Sequence, residues 1–121
     1  MSKIAVIGSR SFNNYIFLKD KIQNYCKDND IDIKDVTIIS GGAYGADAKA
    51  KQFANEFGTK YIEFLPDWDK YGKSAGPRRN KLIIDACDFV IAFWDGISKG
   101  TASSIKFAEE QNKKVIIYWE A

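Results

Sequence analysis

Histidine is absent from the 121 residues. That one absence excludes Ser-His-Asp and Cys-His machinery and the histidine-based metal motifs together. Any acid–base chemistry would rest on Asp, Glu, Lys, Tyr or Cys. Cysteine is scarce too: Cys26 and Cys87 are far apart and match no metal or redox spacing, so both are expected to be reduced and buried, and no metal site is expected. No apolar run approaches the ~20 residues of a membrane span. The chain opens with "MSKIAVIGSR", which goes straight into strand-like residues without the pattern of a signal or transit peptide. A cytoplasmic location and no membrane partner are therefore expected. Excess charge is also missing. Lys and Arg number 18 against 16 Asp and Glu, a net +2, which argues against nucleic acid as a partner.

What is present fits one globular domain over residues 1–121, 45% hydrophobic and 28% charged, near the common size for a single core. Short β-branched runs alternate with segments of helical period. The expected strands are "KIAVIG" (3–8), "DVTIIS" (35–40), "KYIEFL" (60–65), "DFVIAFW" (88–94) and "KKVIIYW" (113–119). Leu18, Ile22, Tyr25 and Cys26 predict a helix from about Asn13 to Asp28, and Ala46, Ala50, Phe53, Ala54 and Phe57 predict a second. A polar, aromatic loop, "PDWDKYGKSAG", is expected before a helix at Pro77–Ala86, since proline favours the first helical turn. A last helix should follow "DGISKG". Strict βα alternation predicts an α/β fold: a doubly wound, five-stranded parallel sheet with helices on both faces. In the order 3-2-1-4-5, strands 1 and 4 are neighbours whose following helices lie on opposite faces. The crevice beyond their carboxyl ends is where such sheets bind ligands.

Three strand-to-helix junctions fall at that crevice: "GSRS" (8–11), "SGGAYGAD" (40–47) and "DGISKGTAS" (95–103). Each offers glycine, small hydroxyl residues and the donors of a helix start, which favour anions. None matches GxGxxG or GxxxxGK[ST]. Each glycine taken singly is as consistent with a tight turn as with a ligand, and Asp47 and Thr101 are as consistent with helix capping. Their convergence favours a phosphate cradle. "GPRRNK" adds Arg78 and Arg79 in an expected first helical turn, where the macrodipole disfavours cations unless an anion sits in front. Trp68 and Tyr71, among Lys70 and Lys73, suit either base stacking or a loop pinned by its own aromatics. Trp94 reads as core or interface.

The ordered set "GSR", "SGGAYGAD", "AGPRRN" and "AFWDGISKGT" resembles the SLOG superfamily, the Rossmann-like group uniting the Smf/DprA proteins and the Lonely-guy enzymes. It looks most like the small stand-alone YspA-like branch. The resemblance implies a ligand derived from a nucleotide, of the NAD or ADP-ribose type or a nucleoside phosphate, with no resident cofactor. Gly8, Ser9 and Arg10 would line one side, and Ser40, Gly41, Gly42, Gly45 and Asp47 would hold phosphate or ribose. Arg79 and Asn80 would face the ligand, with Asp95, Gly96, Gly100 and Thr101 at the other helix start. A homo-oligomer, dimer or larger, is implied as well. Lonely-guy enzymes carry a glutamate just after the GT of the last motif, whereas this chain reads "GTASS" there, with Ser103 and Ser104.

Three readings follow from these residues. The first is a sensor or sequestering protein that binds a nucleotide-derived small molecule without catalysis, so no catalytic residue is assigned. The second is a nucleotide N-glycosidase or phosphoribohydrolase of the Lonely-guy type. The third is single-stranded nucleic-acid binding.

Overall fold

The computed structural model describes residues 2–119. The apolar runs form β1 (Ser2–Gly8), β2 (Val36–Ser40), β3 (Lys60–Glu63), β4 (Phe89–Trp94) and β5 (Val115–Trp119). They make one sheet in the order β3-β2-β1-β4-β5, with every neighbouring pair parallel. This is the expected doubly wound, Rossmann-like order. The three central strands are nearly all apolar because both their faces are covered: Ile4–Ile7, Val36–Ser40 and Val90–Phe93 are buried. The edges are not. β3 alternates exposed and half-buried residues, and β5 is half-buried up to an exposed Trp119.

Successive strand residues point to opposite faces, and the core divides accordingly. α1 (Tyr15–Asp28) and α2 (Ala46–Phe57) cover one face, where Leu18, Ile22, Cys26, Ala50 and Phe53 pack on Ile4, Val6, Ile38 and Phe93. Two further helices, α4 (Ala75–Ala86) and α5 (Lys99–Glu110), cover the other, where Ile83, Ile84, Ile105 and Ala108 meet Ala5, Ile7, Ile39 and Ala92. Truncating a fully buried Leu18 or Ile22 to alanine would cost about 2–5 kcal/mol. The helices after β1 and β4 therefore lie on opposite faces and part at the carboxyl edge of the sheet. Cys26 and Cys87 are buried and unbridged. Among the described residues, no helix is long and apolar enough to cross a membrane.

The stretch expected as an aromatic loop folds differently. It forms a four-residue helix, α3 (Trp68–Tyr71), then a 3-10 turn (Gly72–Ser74) that runs into α4 at Ala75. The Asp67 side chain seeds it, accepting from Lys70 N at 3.1 Å. Ser74 Oγ closes it by donating to the Tyr71 carbonyl at 2.9 Å. Pro77 is thus the third residue of α4, still in the turn where its missing N–H is tolerated. Arg78 and Arg79 fall beyond the first turn, so the helix dipole no longer singles them out.

Candidate functional site

Ser9 organises the carboxyl edge of the sheet. It is fully buried. Its N–H donates to the Phe93 carbonyl at 3.0 Å, its carbonyl accepts from Ala46 N at 3.2 Å, and its hydroxyl accepts from Asp95 N at 2.9 Å. One residue after β1 thereby ties the β4 loop to the start of α2. Such contact needs bare backbone nearby. A Cβ on Gly8 would collide with the Phe93 carbonyl. Gly45 sits at φ +74°, where a Cβ would also collide with the Ser9 and Arg10 carbonyls. These two glycines let backbone approach backbone.

In front of this joint lies a cavity of about 470 Å³. Of the residues expected at the site, Gly8, Arg10, Asp47, Arg79, Asn80, Asp95, Gly100 and Thr101 line it. Ser9, Ser40, Gly41, Gly42, Gly45 and Gly96 are not on its wall. Ser9 and Gly45 are engaged in the loop joint, and Ser40 is fully buried with a hydroxyl that makes no hydrogen bond of good geometry. It still lies near enough to Asp47 and Tyr61 to favour ionisation of both.

The wall also includes Ala43, Ile83, Ser98 and Lys99, which were not singled out, and Ser104, noted only for standing where Lonely-guy enzymes carry a glutamate. Helical spacing carried a signal for two of them: Ile83 follows Arg79 by four residues and Ser104 follows Thr101 by three, so each pair shares a face. Ser103, grouped with Ser104 from the sequence, is exposed. Trp68, Tyr71 and Trp94 are likewise absent from the wall. Tyr71 lies under Arg78 and Lys70, with 4.4 Å from its ring centroid to the guanidinium carbon. Trp94 stacks on Trp119 at 5.4 Å and donates from Nε1 to the Ser98 carbonyl at 3.1 Å.

Arg79 is the half-buried cation of the site. Its Nη1 donates to the Gly41 carbonyl at 2.6 Å and reaches the Phe64 carbonyl at 3.5 Å, while Nε donates to Asn80 Oδ1 at 2.9 Å. The expected lack of compensation is therefore corrected. Backbone at the ends of β2 and β3 supplies it, helped by the charge of Asp47. Burial still lowers the Arg79 pKa, with Asp47 opposing the shift and Arg10 adding to it. Arg78 is occupied outside the cavity, donating from Nε to Ser74 Oγ at 3.1 Å.

The two carboxylates on the wall differ. Asp95 Oδ1 accepts from Ile97 N and Ser98 N, both at 2.8 Å, and Oδ2 accepts from Ser98 Oγ at 3.0 Å. Backbone donation from Ser98 and Ile97 lowers its pKa to about 2. Asp47 accepts from Ala43 N through Oδ2 at 3.1 Å. Burial nevertheless raises its pKa, against the pull of Ala43 and the Arg79 charge.

The Asp95 bonds have a consequence for α5. Ser98 occupies the N-cap position, where a hydroxyl ordinarily accepts from the first turn. Here that hydroxyl donates to Asp95, and no side chain caps the helix. The first-turn residues Lys99, Gly100 and Thr101 line the cavity, which also faces Arg10 and Arg79.

Residues 2–71 match the model of the YspA, cpYpsA-related SLOG family, and the chain belongs to that family. Among solved structures it is similar to DNA processing protein A (DprA) from Streptococcus pneumoniae, with 22% identity and a TM-score of 0.79 over 100% of this chain and 51% of that one. It is also similar to DprA from Helicobacter pylori, with 21% identity and a TM-score of 0.73 over 99% of this chain and 66% of that one. A third, TM1055, has 21% identity and a TM-score of 0.67 over 95% of this chain and 72% of that one. The chain thus spans about half the length of the Streptococcus pneumoniae protein. No curated protein matches it. The Helicobacter pylori structure is described by its single-stranded DNA binding mode, which overturns the expectation that a small net charge argues against nucleic acid. Net charge averages over the whole surface, whereas binding responds to the local field. In this chain Arg10, Arg79 and Lys99 share one cavity wall with Asp47 and Asp95.

Proposed function

We propose that this SLOG-family chain binds the phosphate-bearing part of a nucleotide-derived small molecule in the cavity between β1, α4 and α5, as a sensor or sequestering protein. The observation that carries the reading is the open start of α5. A helix N-terminus presents about half a positive charge and several N–H donors, and proteins usually satisfy them with a cap. Here the capping hydroxyl is turned to Asp95, which leaves the first turn to an outside acceptor. Arg10, Arg79 and Lys99 supply cations around it, and the cavity has the size of a small-ligand site.

Binding is favoured over hydrolysis. Cleaving a glycosidic bond calls for a carboxylate near the anomeric carbon. Ser104 faces the cavity from α5, whereas Glu109 and Glu110 are exposed at the far end of that helix. At ~1.5 Å per residue they lie roughly 13–15 Å along the axis from Gly100. Asp95, with its pKa near 2 and both oxygens engaged, is a poor proton acceptor at neutral pH. Hydrolysis would therefore have to rest on Asp47, the wall carboxylate whose pKa burial raises. Free base released by the parent but not by Asp47→Asn would establish it.

A second reading, single-stranded DNA, is favoured by the Helicobacter pylori neighbour, since the same donors would hold a DNA phosphate. Calorimetry with AMP, ADP, ADP-ribose, NAD and an oligodeoxythymidylate separates the two. The first reading expects a mononucleotide or dinucleotide to bind with modest salt dependence and without release of free base. Tight oligonucleotide binding that falls steeply with salt, with no small-molecule affinity, would replace it with the second.

A further inference from the structure

The two edges of the sheet are finished differently. β3 carries Lys60 and Glu63 and leads into Pro66, and charge and proline are how proteins keep an edge strand from pairing. β5 has neither: its five residues, Val115–Trp119, read "VIIYW". Among the described residues no strand lies beyond it.

The ladder fixes which way the backbone of β5 points. Val90 N donates to the Lys114 carbonyl at 2.9 Å, and Val90 is in register with Val115. The N–H and C=O of one strand residue share a side, and the side alternates from residue to residue. Ile116 and Tyr118 therefore turn theirs toward β4, and Val115, Ile117 and Trp119 turn theirs outward. Side chains alternate as well. Ile116 and Tyr118 pack on the face of α1 and α2, Val115 and Ile117 on that of α4 and α5. Trp119 stacks on Trp94 on the latter side, yet is 61% exposed.

This edge is complementary to itself. Let β5 meet β5 of a second copy antiparallel, with Ile117 on the two-fold axis. Ile117 then opposes the partner's Ile117 and Val115 opposes the partner's Trp119, so the outward N–H groups meet outward carbonyls. The exposed Trp119 gains a cover. On the other face Ile116 meets the partner's Tyr118, a β-branched and aromatic pair of the kind favoured across strands. Charge agrees, since Lys114 and Glu120 stand three residues either side of Ile117 in the sequence and opposite signs would oppose. We propose that β5 is a self-pairing edge, joining the sheets of two copies into one across a two-fold axis at Ile117. The expected homo-oligomer thereby gains a surface and a register. The pairing does not depend on which ligand the cavity takes.

The test is analytical ultracentrifugation of the full chain over a concentration series, with amide hydrogen exchange followed by NMR. The parent should dimerise, and the Ile117 amide should exchange slowly in the dimer although it faces away from β4. Ile117→Lys should be a monomer, its fold checked by circular dichroism. Lys114→Glu, at an exposed position, should weaken the dimer roughly tenfold, as the loss of two cross-strand ion pairs would. Adding Glu120→Lys to it should restore the dimer. A parent that stays monomeric at every concentration overturns the proposal. So does a dimer whose strength Lys114→Glu leaves unchanged, because it would not hold this register.

Discussion

The helix starts of this protein are treated in two ways. α1 is closed by Asn14, whose side chain accepts from Phe17 N at 3.0 Å, and α3 by Asp67 on Lys70 N at 3.1 Å. α2, α4 and α5 have no side-chain cap, and α4 simply continues from the 3-10 turn before it. At α2 the Ala46 N–H is taken by the Ser9 carbonyl, so that start is spent on joining loops. At α5 the available hydroxyl is diverted to Asp95. Elsewhere the chain closes α1 and α3 with side chains and leads into α4 from the preceding 3-10 turn. At the cavity it leaves one open, and the cost is tolerable because an anion can serve as the cap.

The largest effect should come from breaking the loop joint beneath the open helix. Gly45→Ala combines a left-handed backbone with a collision against two carbonyls and should destabilise the fold by about 3 kcal/mol or more. Urea denaturation checks this, and nucleotide-induced stabilisation should vanish with it. Arg79→Ala comes next. Losing the bond to the Gly41 carbonyl should cost about 1–3 kcal/mol. Most of the ~2.7 kcal/mol that a ligand at a hundred times its dissociation constant would add should also disappear in thermal shift. Arg78→Ala, whose side chain lies outside the cavity, should retain that ligand shift.

The contrast sharpens at the capped end. Asn14→Ala should cost about 1 kcal/mol, as N-cap losses do, and leave nucleotide affinity unchanged. If it weakens binding as much as Arg79→Ala does, the distinction between the two kinds of helix start fails. Asp47→Asn should have the smallest effect on the free protein, and the opposite sign. The folded state holds the Asp47 proton more tightly than the unfolded chain does, so the ionised side chain is a penalty at neutral pH. That penalty is absent below the ordinary carboxyl pKa and grows as pH rises through the raised folded value. Stability curves of parent and variant should therefore converge in acid, with the variant more stable near pH 7.

Much of this contrast was legible in the residues. Five apolar runs in strict alternation with helical periods left one natural topology, and the glycine-bearing junctions fell at its carboxyl edge because βα order put them there. What escaped was tertiary or directional. The short α3 depends on one capping aspartate, so "PDWDKYGKSAG" read as a loop. Arg79 looked uncompensated because its main partner, Gly41, is 38 residues away in sequence. Sequence also cannot show which way a hydroxyl donates, so Ser98 passed unnoticed although it decides the state of α5. Gly45 read as a ligand contact, yet its neighbours are carbonyls of its own chain.

The central claim is that the open first turn of α5 caps itself with a ligand anion. Amide NMR during titration with AMP tests it most directly. The N–H signals of Lys99, Gly100 and Thr101 should show the largest shifts and saturate together, while those of Phe17 and Lys70, already held by Asn14 and Asp67, should stay in place. Binding that leaves the Lys99–Thr101 amides unmoved, or that shifts signals at the opposite edge of the sheet instead, would contradict the account.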